Sequence, residues 1–154
     1  MYMLPALSNL MSQYSESSIT VIGYSVGAVV ALLDGLLIRM TVDPNIDVKV
    51  VLYGLPRVGN EPFASFADSV LAQNVKHISN KNDPMPVVPA ISLGFTGISG
   101  EIHISENGKW TQCPGEDNGD PRCAVGTVTS LNDANFSDHF GPYNGIMMQC
   151  TGSG

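Results

Sequence analysis

The chain has 154 residues, a length that suits one domain, and 44% of them are hydrophobic, an ordinary fraction for a globular protein. Asp and Glu outnumber Lys and Arg by 14 to 7, which gives a formal net charge of −7. The few basic residues are scattered, so the sequence lacks the positive patch that phosphate backbones require. Nucleic-acid binding is therefore excluded as an expected function.

The first elements predicted along the chain are a helix and a buried strand. Leu4, Leu7, Leu10 and Met11 recur at helical spacing in MYMLPALSNLMSQYSESS, which predicts an amphipathic helix. The same stretch has neither a positive start nor a long apolar run before a small-residue cleavage site, so no secretory signal is expected in it. Residues 19–22 then predict a short buried strand.

The apolar stretch ITVIGYSVGAVVALLDGLLI, residues 19–38, supports two interpretations. With Gly23 and Gly27 as a small-xxx-small pair, it is typical of a membrane helix with a dimerising face. Asp34 in its interior argues against that interpretation, because an acidic residue near a bilayer centre costs about 2.5–3.5 kcal/mol. As a strand, Gly-Tyr-Ser-Val-Gly and a helix over residues 26–40, it predicts the sharp turn that presents a catalytic serine above a hydrolase sheet.

Such a turn needs small flanking residues, since the backbones of strand and helix nearly touch there. Gly23 and Gly27 are predicted to meet this need, and Ala28 keeps the near face of the helix slim. The turn would expose the hydroxyl of Ser25. It would also place the backbone N–H of Val26 at the start of the helix, where it can donate to an oxyanion.

Strands and helices continue to alternate after this segment. Residues 48–54 and 75–79 predict two further buried strands, and Pro62 opens a helix between them. From Ile91 onward, LGFTGISGEIHIS and GKWTQC predict short antiparallel strands joined by a glycine turn. The alternation predicts that residues 1–154 form a single α/β domain with a mostly parallel, right-handed sheet and flanking helices.

A serine nucleophile needs a base, and the base needs an orienting acid. His77 and His103 fall in predicted strands and are expected to be ordinary sheet side chains. His139 lies in a predicted loop, DHFGPY, where Gly and Pro fix an irregular backbone. Asp83 follows a predicted strand, so the chain order Ser25, Asp83, His139 is the order of α/β-hydrolase-type enzymes.

The three cysteines predict one disulfide and leave one cysteine over. Cys113 and Cys123 enclose the turn-rich loop CPGEDNGDPRC, and a disulfide that closes this loop is expected. The spacing is poor for zinc, because no His or second Cys pair accompanies it, so no metal site is expected. Cys150 is left over, which in an oxidising setting indicates a free thiol, an intermolecular bridge or a partner that this chain lacks. One N-glycosylation sequon begins at Asn135.

Four blocks resemble the fungal-type class 3 lipases of the α/β-hydrolase superfamily: VIGYSVGAVVALL, VVLYGLPRVGN, ISNKNDPMPVVP and DHFGPYNGI. The resemblance covers about residues 3–150 and implies a serine ester hydrolase that cleaves acylglycerol or similar carboxylic esters without a cofactor. It implies Ser25 as nucleophile, Asp83 as orienting acid, His139 as general base and the Val26 N–H as oxyanion donor. It also implies a lipid or other ester substrate, contact with a lipid interface and an extracellular location.

The chain departs from the family pattern in places. The family commonly has His before the serine and Leu after it, where this chain has Tyr24 and Val26. Family members carry a longer segment before the first helix, with early strands, the lid and the second oxyanion donor. The resemblance therefore implies that the N-terminal part of the fold is missing and that an apolar sheet edge is exposed. A feruloyl or other carboxylesterase, or an inactive truncated lipase fragment, stay open as alternatives. The glycines, proline and arginine of YGLPRVGN, residues 53–60, are interpreted as structural.

Overall fold

A computed structural model of the chain describes residues 3–14 and 18–149, so Cys150 lies outside the described residues. The predicted alternation of strands and helices is confirmed. In chain order, the elements are α1 Met3–Gln13, β1 Ile19–Tyr24, α2 Val26–Thr41, β2 Val48–Tyr53, α3 Glu61–Leu71, β3 Val75–Asn80, β4 Glu101–Ile104, β5 Trp110–Cys113, α4 Ala124–Thr127 and α5 Phe136–His139.

The strands form one sheet in the order β1-β2-β3-β4-β5. The three pairings from β1 to β4 are parallel, and β4 pairs with β5 antiparallel. This is the mostly parallel α/β sheet that the sequence predicts. Because β1, β2 and β3 are parallel, their carboxyl ends lie at one edge of the sheet, where side chains from distant parts of the chain can meet.

The main core lies between the sheet and the helices α2 and α3. The middle strand β2 contributes Val50 and Leu52, which are fully buried. Helix α2 approaches this strand closely at Gly35, where an added Cβ would lie 2.4 Å from Cγ2 of Val50. The buried apolar side chains that the two helices give to this core are Ala28, Ala31, Leu32, Leu36, Ala64, Ala67 and Leu71. Small residues on the helices thus allow the close packing on which the position of α2 depends.

One predicted strand is much shorter in the structure. The sequence predicts strand structure from Ile91 onward, but residues 91–93 form a 3₁₀ turn and the strand begins only at Glu101. Gly94 and Gly100 have positive φ angles of 84° and 97°, which break an extended strand. The glycine-rich stretch therefore forms a connection that brings β4 alongside β3, and the expected antiparallel pairing holds for β4 with β5.

The edge at β1 exposes apolar side chains. Ile22 on β1 is 66% exposed, and Val26, Val30 and Leu33 form an exposed apolar row on α2. Their spacing of three and four residues places them on one face of the helix. The segment read alternatively as a membrane helix is thus a strand, a turn and a helix. Among the described residues, no helix is long and apolar enough to cross a bilayer.

Candidate active site

Ser25 occupies a strained turn between β1 and α2. Its φ and ψ are 55° and −128°, a region that residues other than glycine rarely adopt and that costs about 1–3 kcal/mol. The surrounding backbone holds the turn, because the N–H of Ser25 donates to the carbonyl oxygen of Tyr53 at 2.9 Å and the N–H of Ala28 donates to the Ser25 carbonyl at 2.9 Å. The serine hydroxyl is therefore presented at the carboxyl end of the sheet by the backbone itself.

The two glycines of the motif differ in what they do. A Cβ on Gly23 would lie 2.3 Å from the carbonyl oxygen of Gly27 and 2.7 Å from the Cα of Ala28. Only glycine allows that approach of strand and helix, as predicted. For Gly27 the prediction is wrong: a Cβ there would meet no described atom within 4 Å. Its backbone closes the turn, but its Cα faces open space.

The structure brings together the three residues that the sequence singles out as nucleophile, base and acid. Nε2 of His139 lies 2.8 Å from Oγ of Ser25, and Nδ1 of His139 lies 2.9 Å from Oδ2 of Asp83. An ionised carboxylate can only accept, so Nδ1 carries the ring proton and Nε2 accepts from the serine hydroxyl. Asp83 is buried, whereas the Ser25 side is open to solvent in part. This arrangement can remove a proton from the serine.

Asp83 is held by groups on both of its carboxylate oxygens. Oδ1 accepts from the backbone N–H of Met85 at 2.9 Å, and the hydroxyl of Tyr143 lies 3.4 Å from Oδ2. Burial, followed by the negative charge of Asp83, raises the pKa of Tyr143 above its ordinary value. Tyr143 therefore stays protonated and able to donate. The carboxylate is fixed by hydrogen bonds before it orients the imidazole.

His139 is placed by a short helix rather than by the predicted loop, so that prediction is wrong. Helix α5 starts because the side chain of Asn135 caps it by accepting from the N–H of Ser137 at 3.1 Å. It ends at His139, and Gly141 follows with a φ of 110°. The cap and the glycine leave room for only one helical turn, which puts the imidazole at its carboxyl end.

Asparagines at and just after the end of β3 tie the acid segment to the base segment, a feature that the sequence interpretation missed. Nδ2 of Asn80 donates to the carbonyl oxygen of Asp138 at 2.8 Å. The backbone N–H of Asn135 donates to the carbonyl of Asn82 at 2.9 Å, and the N–H of Asn82 donates to Oδ2 of Asp138 at 3.3 Å. The polar run NKND directly after a buried strand was the only signal for this contact.

Comparison with known proteins connects these features to a family. The family model of lipase (class 3) matches residues 1–93, which include the turn and the acid segment. The chain belongs to the class 3 lipase family. The resemblance drawn from the four sequence blocks is thereby confirmed.

Curated relatives and solved structures agree with this family. A secreted mono- and diacylglycerol lipase of Malassezia globosa is 36% identical over 131 residues, which cover 84% of this chain and 41% of the relative. The secreted mono- and diacylglycerol lipase 2 of Gibberella zeae is 31% identical over 84% of this chain and 35% of its own length. The structure of a lipase from Rhizopus microsporus var. chinensis matches with a TM-score of 0.79 and 25% identity, covering 94% of this chain and 50% of that one. The chain thus spans half or less of each of these proteins.

The YGLPRVGN segment of this family member is structural and also shapes the site. The buried guanidinium of Arg57 pairs with Oδ1 of Asp117 at 2.8 Å and donates to the carbonyls of Val87 and, at 2.9 Å, Pro89. It therefore joins this segment to the loop that follows Asp83. Gly54 does more than turn the chain: its φ is 55°, and a Cβ there would lie 2.7 Å from Cε1 of His139.

The disulfide between Cys113 and Cys123 is present, as predicted. It joins the end of β5 to the start of α4. Glu101 lies beside it, with a carboxylate oxygen and both sulfur atoms within 4.8 Å of one another. Because the sulfurs are bonded to each other, they offer no thiolate to a metal ion.

A second group of serine, histidine and carboxylate lies on β3 and β4. Oγ of Ser79 donates to Oε1 of Glu101 at 2.6 Å and lies 2.9 Å from Nδ1 of His103. The backbone N–H of Ala124 also donates to Oε1 of Glu101 at 3.0 Å. Burial lowers the pKa of His103 and of His77, although the carboxylate of Glu101 acts in the opposite direction on both. The prediction that these two histidines are sheet side chains is confirmed.

Proposed function

We propose that this chain carries the catalytic groups of a serine ester hydrolase that cleaves acylglycerol esters through an acyl-enzyme. The observation that carries the proposal is the continuous set of contacts from Ser25 through His139 to Asp83, 2.8 Å and 2.9 Å long, at a strained turn. A related triacylglycerol lipase of known structure is described as having a serine protease triad at its catalytic centre. Ser25 follows β1, Asp83 follows β3 and His139 ends α5, and all three meet at one edge of a single sheet. We therefore also propose that residues 1–154 form a single domain.

The proposed reaction has two acyl-transfer steps. His139 Nε2 takes the proton of Ser25 as Oγ attacks the ester carbonyl, and the alcohol leaves with that proton. Water then attacks the acyl-serine and gives a proton to the same nitrogen. The carboxylic acid is released as Nε2 returns that proton to Oγ of Ser25. Asp83 holds the Nδ1–H and stabilises the imidazolium that forms in both steps.

We assign the Val26 N–H as a donor to the oxyanion of the tetrahedral intermediate. Val26 is the first residue of α2, and the first backbone N–H groups of a helix have no partner within the helix. The nitrogen directly follows Ser25, so it lies beside the attacked carbonyl. One such donor contributes about 2.7–4 kcal/mol to transition-state stabilisation.

Acylglycerols are proposed over aryl esters because of the names of the relatives and the surface beside His139. Phe136 and Ile146 are 68% and 64% exposed, and Phe140 and Met147 are exposed as well. Phe140 also packs edge-on against the His139 ring, with centroids 5.9 Å apart. Exposed apolar side chains beside the base suit an acyl chain and a lipid interface. A feruloyl or other carboxylesterase would use the same triad.

Labelling with a fluorophosphonate, read by intact mass, tests the proposal. One adduct on the parent and none on Ser25→Ala is the expected result. No adduct on a folded, soluble chain would overturn the proposal and favour the inactive-fragment alternative. With labelling established, hydrolysis of dioctanoylglycerol against methyl ferulate separates the two substrate classes. Faster hydrolysis of the ferulate would overturn the acylglycerol assignment.

An extracellular location is proposed from relatives that are named as secreted. Asn135 provides a test, because it begins the one Asn-x-Ser/Thr sequon of the sequence and is exposed. Passage through a secretory pathway should therefore add one glycan there. After secretion from a yeast host, we expect a mass decrease on treatment with an N-glycosidase, and no such decrease for Asn135→Gln. An unglycosylated secreted product would contradict this use of the sequon.

A further inference from the structure

Tyr24, the residue before the nucleophile, contacts His139 in two ways. Its ring stacks on the imidazole, with centroids 4.9 Å apart and planes 25° from parallel. Its hydroxyl donates to the main-chain carbonyl oxygen of His139 at 3.1 Å. One side chain thus holds both the ring and the backbone of the base, although 115 positions separate the two residues in the chain.

We propose that Tyr24 is a positioning residue of His139: it fixes the imidazole plane between Ser25 and Asp83 and stabilises the imidazolium by its ring face. The inference rests on the proposed function. A cation over the face of an aromatic ring is attracted by the negative potential of that face. The imidazolium exists only after the base has taken the serine proton, so the stack favours the transition state over the ground state.

The hydroxyls of Tyr24 and Tyr143 share the carbonyl oxygen of His139 as an acceptor. Tyr143 lies 3.2 Å from the carbonyl oxygen of His139 and 3.4 Å from Oδ2 of Asp83, and it has one proton. Because the carbonyl already accepts from Tyr24, it keeps a donor when Tyr143 gives its proton to the carboxylate. Tyr24 therefore supports the base directly and the acid through Tyr143.

Tyr53 shows that a tyrosine at this end of the sheet does not make these contacts by default. It pairs with Tyr24 in the register of β1 and β2. Its ring packs edge-on against Tyr143, with centroids 5.4 Å apart, and is partly buried like that of Tyr24. Within the described residues, the aromatic rings that contact the imidazole of His139 are those of Tyr24 and Phe140. Tyr53 is therefore a matched control.

Several groups besides Tyr24 face the imidazole and set its response to pH. Asp83 lies at Nδ1 and Ser25 at Nε2. Phe140 lies at the edge of the ring, and Tyr143 contacts the carbonyl. Asp83 is the acidic group among them, and all are retained when Tyr24 alone is changed. A changed pH response in a Tyr24 variant is therefore assignable to Tyr24.

The test compares Tyr24→Leu, Tyr24→Phe and Tyr53→Leu with the parent. The measured quantity is the second-order rate of labelling by a small fluorophosphonate between pH 5 and pH 9. For Tyr24→Leu we expect the plateau rate to fall about three- to tenfold, the factor that loss of a ring–cation contact implies. The acid limb of the pH profile, where the labelling rate falls as His139 takes up a proton, should also move to lower pH. The reason is that the imidazolium is less stable without the ring of Tyr24. Tyr24→Phe keeps the ring and should lose less, and Tyr53→Leu should stay within about twofold of the parent.

A purely structural role would lower the thermal midpoint or the labelled fraction of Tyr24→Leu and leave the acid limb in place. Equal rates and limbs for Tyr24→Leu and Tyr53→Leu would overturn the inference. If the parent is not labelled at all, the proposed function fails, and NMR of the histidine Cε1–H groups decides the inference separately. The His139 signal, assigned with His139→Gln, should change its shift and titration midpoint in Tyr24→Leu but not in Tyr53→Leu. An unchanged signal would overturn the inference.

Discussion

Two groups of serine, histidine and carboxylate lie on this sheet or at its edge, and they differ in which residue stands in the middle. In the first, His139 stands between Ser25 and Asp83 and uses one ring nitrogen for each. In the second, Ser79 stands between Glu101 and His103. The serine–histidine distances are almost equal, 2.8 Å and 2.9 Å. Residue types and distances alone therefore do not separate a candidate active site from a structural network.

The position of the proton separates the two groups. Ser79 has one hydroxyl proton and gives it to the carboxylate of Glu101 at 2.6 Å. Nδ1 of His103 then faces a lone pair of the same oxygen and must itself donate. His103 cannot take a proton from Ser79 in this arrangement. Ser25 has no carboxylate of its own, so its proton points to the histidine.

The backbone separates them as well. Ser79 lies inside the regular strand β3 and is 1% exposed, so no ester can reach its hydroxyl. Ser25 lies at a positive φ and directly before a helix, where its hydroxyl is partly open and the next backbone N–H, that of Val26, begins the helix. The strain at Ser25 is what distinguishes the candidate nucleophile from its neighbour in the sheet.

Replacing each serine by alanine should separate the two groups most clearly. Ser25→Ala should abolish fluorophosphonate labelling, since losing a nucleophile of this type lowers turnover by about 10⁶-fold. Ser79→Ala should keep the adduct at Ser25, because its hydroxyl serves only Glu101 and His103. Intact mass of both variants checks this. Loss of labelling in a folded Ser79→Ala protein would mean that the second group is linked to the first.

Replacing each carboxylate by its amide should change the labelling rate less than removal of Ser25 does, and it should again separate the two groups. Asp83→Asn should slow labelling by about 10⁴-fold, because an amide no longer holds the Nδ1–H tautomer. Glu101→Gln should label at a rate near that of the parent. It should lose about 1–3 kcal/mol of stability in urea unfolding, since a buried acceptor for Ser79 and Ala124 is weakened. An Asp83→Asn protein as fast as the parent would remove Asp83 from the proposed mechanism.

Gly23 and Gly27, on either side of Ser25, test how far the turn at Ser25 depends on the close approach of β1 and α2. Gly23→Ala places a Cβ 2.3 Å from the Gly27 carbonyl oxygen, so we expect a loss of about 1–3 kcal/mol and slower labelling as the strand and helix separate. Gly27→Ala meets no described atom within 4 Å. It should be neutral or stabilise by about 0.4–1 kcal/mol. Urea unfolding and labelling rates check both, and similar losses in the two variants would contradict the assignment of the close approach to Gly23.

The fold and the candidate triad were predictable because their signals are local. Buried strands, the Gly-Tyr-Ser-Val-Gly turn and the polar segments after the strands each stand in a few consecutive residues. The parallel sheet then gathers those segments at one edge without further information. Ser25, Asp83 and His139 could therefore be named in chain order before any distance was known, although their catalytic roles remain proposals.

The contacts that hold these residues in place were not predictable, because they join distant segments. Asn80 donates to the carbonyl of Asp138, 58 positions away, and Tyr24 reaches His139 across 115. Ser79 and Glu101 meet only because β3 and β4 pair in one particular register. Glycine-rich connections before β4 leave that register open in the sequence. Local sequence can predict whether a segment is a loop or a strand, but it does not show which polar groups of distant segments will face each other.

A further expected effect concerns pH and stability, and it arises from His103 of the second group together with His77 on β3. Burial lowers the pKa of His103 and His77, so both stay neutral in the fold at a pH where the unfolded chain, with histidine pKa values near about 6.5, takes up protons. The unfolded state then binds more protons, and stability falls as the pH decreases through this range. We expect the free energy of unfolding to decrease as the pH falls below about 6.5, by about 1–3 kcal/mol per pH unit, because each proton taken up corresponds to about 1.4 kcal/mol per pH unit and up to two are taken up.

Urea unfolding at pH 7.5, 6.5 and 5.5 measures this slope, in a window that lies above the ordinary titration range of carboxylates. His103→Gln should flatten the slope, because it removes one of the two buried rings that resist protonation, whatever its effect on stability at pH 7.5. His139→Gln is the matched control from the candidate active site and should leave the contribution of His103 and His77 in place. A parent slope of zero across the window would contradict the buried neutral state of both rings. A slope that His139→Gln removes and His103→Gln does not would assign the acid sensitivity to the triad, and would reverse the division of roles drawn here between the two groups.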